Sequence, residues 1–143
     1  LVATGRTYTI DSTKNNGTFG QFIPGVTPTE GIGAGDRPLQ ILQLEESTNF
    51  RSNLGLAELS GNPVTVHVTG YLPDSKFTAA TDVTLGANQF TQLGHVFVRL
   101  FPGQNVYNGR ISIAVTGGTG RVAAYGSVID NLSTDATYVP SQK

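Results

Sequence analysis

The chain contains no cysteine, no methionine and no tryptophan. Without cysteine there is no disulfide, no thiolate metal site and no thiol nucleophile. The fold must then rest on its own core, and 143 residues suffice. A domain of this length buries roughly 70% of the surface its unfolded chain exposes. Missing tryptophan counts against the usual aromatic platform of a carbohydrate-binding module. Charge is scarce as well: 13% of residues are charged, against about 25% in ordinary globular chains. Net charge is −1, and no block of like charge exists. Six arginines, Arg6, Arg37, Arg51, Arg99, Arg110 and Arg121, are scattered along the chain. Nucleic-acid binding needs Lys and Arg gathered on one face, so a nucleic-acid partner is not expected. No apolar run reaches 18 residues, so no helix of the chain is expected to span a membrane. The chain opens at Leu1 rather than Met, which is expected to reflect removal of an upstream segment.

Catalytic constellations are missing too. There is no G-x-S-x-G elbow for a serine nucleophile. Glu45 and Glu46 are adjacent, so on a strand they point to opposite faces and do not make a glycosidase pair. They and the isolated Glu58 read as solvated charges at strand ends. His67 and His95 are the two histidines, too few and too far apart in sequence for a metal set. They read as surface or cross-strand packing. Asp11-Ser12-Thr13-Lys14-Asn15-Asn16 and Asp130-Asn131 with Asp135 carry oxygens, but neither has calcium-loop spacing. Gly31-Ile32-Gly33-Ala34-Gly35 is not followed by Lys-Ser/Thr and reads as a flexible loop rather than a phosphate cradle. Asn16-Gly17-Thr18 and Asn131-Leu132-Ser133 are glycan acceptors only in a host that glycosylates. The expectation is a non-enzymatic protein with no cofactor and no metal.

What the chain does have is period-2 alternation broken by turn residues. In Val64–Tyr71, Val64, Val66 and Val68 face one way and Thr65, His67 and Thr69 the other. Residues 50–59 precede it across the Ser60-Gly61-Asn62-Pro63 turn and read as its paired strand. Residues 77–85 and 39–44 read as strands, as do 7–10 and 19–23. Residues 24–38 hold three prolines and four glycines and read as loop. Residues 106–115 and 121–129 alternate on either side of Thr116-Gly117-Gly118-Thr119-Gly120, a hairpin signal. Leu93, Val96, Phe97 and Leu100 fall at helical spacing, so residues 92–100 read as a short helix, with a continuing strand as the alternative. Residues 137–140 read as an edge piece. The sum is one all-β domain over residues 1–143. We expect a two-sheet antiparallel sandwich of Ig-like type, with eight to nine strands and at most one short helix near 92–100.

Four stretches carry a resemblance: Gly17-Thr18-Phe19-Gly20-Gln21-Phe22-Ile23-Pro24; Phe50-Arg51-Ser52-Asn53-Leu54-Gly55-Leu56; Gln89-Phe90-Thr91-Gln92-Leu93; and Gly120 through Asn131 with Thr137-Tyr138-Val139-Pro140. Together these resemble a β-sandwich module, often repeated, of large secreted proteins of environmental bacteria. The resemblance covers residues 6 to 140 and implies export, modular β architecture and a non-catalytic role; no residue inherits an activity from it.

Two functional expectations follow. The first is an extracellular structural subunit that self-assembles, as a filament or surface layer, by β-strand addition. Residues 1–10 would be the exchanged or edge-adding strand. Its candidate assembly residues are Val2, Thr7, Tyr8, Thr9, Ile10, Tyr138 and Val139, and its partner is a second copy of the chain. The second is a non-catalytic module that binds a glycan or cell surface in an adhesive role, with Tyr107 and Tyr125 as the candidate ligand face.

Overall fold

The structure, a computed structural model, describes residues 3–13, 15–73 and 76–143. Among the described residues, ten strands and one short helix run in chain order. They are β1 (Thr4–Asp11), β2 (Gly17–Pro24), β3 (Leu39–Glu46), β4 (Phe50–Glu58), β5 (Val64–Tyr71), β6 (Thr78–Leu85), β7 (Phe90–Leu93), α1 (Val96–Leu100), β8 (Val106–Gly118), β9 (Val122–Asp130) and β10 (Ala136–Pro140). The count exceeds the eight or nine expected. The helix is a single turn that buries Val96, Phe97 and Leu100, while Leu93 ends a strand instead.

Two four-stranded antiparallel sheets face each other. One has the order β10-β9-β4-β7 and the other β3-β8-β5-β6. A third, two-stranded sheet is the β1–β2 hairpin. Alternation explains the core. Val64, Val66 and Val68 of β5, Ile111 and Ile113 of β8, and Ile41 of β3 are almost wholly buried, as are Leu54 and Leu56 of β4. Removing that apolar surface from water is the main driving force for the sandwich.

Two pairings expected from sequence are overturned. Residues 50–59 do not pair with Val64–Tyr71: β4 pairs with β7 and β9, and β5 with β6 and β8. Nor do β8 and β9 form a hairpin, because they lie in opposite sheets. In both cases the connection crosses from one sheet to the other. The glycine run serves this crossing. Gly118 has φ +80°, and a Cβ there would meet the Pro63 carbonyl. The N–H groups of Thr119 and Gly120 both donate to that carbonyl. The glycines thus let one crossover pack against the other, which a hairpin reading of the same residues misses.

Glu58 ties these crossovers together. It is 4% exposed, which corrects its reading as a solvated charge. Its carboxylate accepts from the Ser60 N–H (2.7 Å) and hydroxyl (2.5 Å), the Gly61 and Asn88 N–H groups (2.8 Å each) and the Arg121 N–H (3.3 Å). Glu46 is also buried, at 5% exposure, where its carboxylate meets His95 Nδ1 (2.7 Å) and the Ser52 N–H. The loop at 31–35 is likewise not loose. Ile32 is fully buried and exchanges backbone hydrogen bonds with Val122. The Arg121 guanidinium holds the Pro28 and Gly31 carbonyls and the Asp36 carboxylate.

Candidate functional site

The β1–β2 hairpin lies over the outer face of the β10-β9-β4-β7 sheet. Cross-strand partners share a face of an antiparallel pair, and Thr7 pairs with Gln21, Thr9 with Phe19 and Gly5 with Ile23. Thr7, Gln21 and Ile23 face the sandwich, where they help to line a cavity of about 350 Å³. The opposite set faces solvent: Tyr8, Ile10 and Phe22 are 60%, 57% and 55% exposed. An isolated two-stranded hairpin is marginal in water, so this one depends on what it touches.

The floor of the cavity is aromatic. In β9, Val122 and Ala124 point into the core and Tyr125 points out. Its ring lies across β4 at Gly55, its register partner, and a Cβ at Gly55 would collide with the ring. Tyr125 stacks on Tyr138 of β10 at 5.4 Å between centroids and 24° between planes. On its other side it stacks on Phe90 of β7 at 6.4 Å and 9°. Burial pushes the hydroxyl pKa of Tyr125 above its usual value. Burial does the same for Tyr138, helped by the neighbouring Tyr125. Both rings therefore stay neutral across the physiological range. Among the described residues that line the cavity there is no Asp, Glu, Lys, Arg or His.

Gln21 supplies the polar feature. It is 7% exposed, and its Oε1 accepts from the Ser127 hydroxyl at 2.8 Å. Its Nε2 is buried with no hydrogen-bond partner among the described residues. An unpartnered buried donor costs about 1–3 kcal/mol. Turning the amide over transfers the deficit to Oε1, so one end stays unsatisfied either way. Across the floor, the Tyr125 hydroxyl reaches Gln92 Oε1 at 3.4 Å.

The expected assembly and ligand residues part company here. Val2 lies outside the described residues. Thr7 and Thr9 face inward; Tyr8 and Ile10 face solvent. Tyr138 belongs to the aromatic floor, whereas Val139 packs against the core of its own chain. Tyr107 is 58% exposed but sits on β8, in the other sheet, so it and Tyr125 do not form one ligand face. Gln21, Gln92 and Phe90 were not singled out from sequence. They join Tyr125 only through the sheet order and the placement of the hairpin, and neither leaves a local pattern.

The histidines are separate. His67 pairs with Asp82 of β6 at 2.6 Å on the other sheet, and His95 holds Glu46. Among the described residues no three His, Cys, Asp or Glu side chains gather as a metal site. At the sequon Asn131-Leu132-Ser133, the Asn131 amide accepts from Arg51 and donates to the Ser47 and Thr48 carbonyls.

A second candidate feature is the set of strand edges. Natural edge strands are blunted by shortness, proline, bulges or charge. β7 has four residues. β10 ends on Pro140. β3 is bulged, with Gln43 at φ +59°, and Gln40 is bridged by Gln142. β6 and β1 differ from these. Each has eight residues, keeps an unbroken register with its partner and contains no proline; their charges are Arg6 and Asp11 in β1, and Asp82 in β6, which His67 pairs. Among the described residues each forms a ladder on one side alone.

No helix among the described residues is long and apolar enough to cross a membrane. Comparison with family models, curated proteins and solved structures yields no match to this chain.

Proposed function

We propose that the protein is an extracellular structural subunit that polymerises head to tail by β-strand addition. The observation that carries this is the pair of eight-residue edges, β1 and β6, that neither proline nor a bulge interrupts. In the polymer, β1 of one copy lies along β6 of the next, and the ladder hydrogen bonds satisfy backbone groups of both. The two edges differ, so the contact is heterologous, and a heterologous contact that does not close makes a fibre. The exposed face of Tyr8, Ile10 and Phe22 adds apolar surface beside the joint. Scarce charge favours close packing of many copies, since self-repulsion is weak.

Absence of cysteine makes the test clean. Tyr8→Cys is placed on β1 in one preparation and Thr81→Cys on β6 in another. A short thiol-specific cross-linker applied to the mixture is expected to join one variant to the other. Cross-links confined to like variants, or none above the level of a Tyr107→Cys control, contradict the β1–β6 joint.

A further inference from the structure

We propose that the cavity between the hairpin and the outer face of the β10-β9-β4-β7 sheet binds a neutral pyranose ring. Its size, about 350 Å³, lies at the small end of ligand sites, which run roughly 300–1,000 Å³. That suits one or two rings rather than a long polymer segment.

The lining selects the chemistry. Phe90, Tyr125 and Tyr138 present near-parallel rings, the surface on which the C–H face of a sugar packs. Around them stand Thr7 and Gln92, which supply hydroxyl and amide groups for a ligand rich in hydroxyls. With no charged side chain among the described residues that line the cavity, a phosphate, carboxylate or ammonium group would be buried there without a counter-charge, which is costly. The Gln21 Nε2 is buried and unpartnered among the described residues and has no surface open to the cavity, so the hydrogen bonds to a ligand come from Thr7 and Gln92 of the lining. The site is independent of the β1–β6 joint: it uses the inward face of the hairpin, and the joint uses the outer edge of β1.

The test is a nitrogen–proton NMR titration of the full chain with methyl glucosides, galactosides and mannosides in both anomers, and with N-acetylglucosamine. The Gln21 side-chain amide is the reporter. At least one sugar is expected to shift it in a saturable way, with a dissociation constant in the millimolar range. The matching disaccharide binding more tightly than the free ring indicates a glycan end as the natural source; equal binding indicates the free sugar. Tyr125→Ala is expected to weaken binding about tenfold, equivalent to about 1.4 kcal/mol. Gln92→Leu, which keeps side-chain bulk and leaves the Gln21 reporter in place, is expected to weaken it while the remaining spectrum stays folded. Tyr107→Ala, on the other sheet, should leave it unchanged. The proposal is overturned if no sugar gives a saturable shift at tens of millimolar. It is equally overturned if benzyl alcohol shifts the amide as strongly as the best sugar, which would mean a flat aromatic pocket.

Discussion

Glu58 shows how much one side chain can hold. Burial alone would raise its pKa, but the donors from Ser60, Asn88 and Arg121 win and bring it down to about 2. The unfolded carboxyl takes up its proton near 4.5, while the folded one resists protonation until about 2. Between those values the unfolded state binds more protons, so stability rises with pH there. The contribution is complete above 4.5 and is lost as pH falls towards 2. Asp36 and Asp130 shift in the same direction through backbone N–H donors and steepen the same acid limb. Glu58→Ala leaves five hydrogen bonds without an acceptor and is expected to cost about 3 kcal/mol in urea unfolding. Glu58→Gln should flatten the pH dependence of stability between 2 and 4.5; an unchanged slope would contradict this account of the acid limb. Gly55 is the second residue with a sharp expectation. Gly55→Ala drives a Cβ into the Tyr125 ring and should cost about 1–3 kcal/mol. In a Tyr125→Ala background most of that cost should vanish, which a double-mutant cycle measures directly.

At the scale of elements, the strands were legible and their partners were not. Val64, Val66 and Val68 alternate inward as read, and Ile111 and Ile113 do the same on β8. The reading fails where loop composition is taken as evidence of pairing. Gly117-Gly118-Thr119-Gly120 suits a hairpin turn by itself. Gly118 is required by the Pro63 carbonyl, 55 positions upstream, and Gly120 by the Asn62 carbonyl, and no local pattern records those contacts. Tyr125 could be placed outward from its phase against Val122 and Ala124. Its company of Phe90, Tyr138 and Gln21 could not, because sheet order sets it. The hairpin gives the prediction at this scale. Successive N–H groups of a strand point to opposite sides, so of Tyr8→Pro and Thr9→Pro one removes a donor facing β2 and the other a donor facing outward. Proline is tolerated in an edge strand where its missing N–H faced solvent. The outward variant is expected to melt with the wild type by circular dichroism yet fail to polymerise. The other is expected to lose the hairpin.

The whole molecule is a sandwich with four of its six outer strands blunted or covered: β3, β7, β10, and β2, which lies against β10. The two that remain, β1 and β6, match in length. The account's central claim is that these two edges meet between copies. The most direct measurement is the native mass and shape of the purified chain, by light scattering and negative-stain microscopy, for the wild type and the two proline variants side by side. The account predicts filaments for the wild type and a folded monomer of 15.1 kDa for the outward-facing proline. A wild type that stays a 15.1 kDa monomer at every concentration, or filaments that survive both prolines, would contradict it.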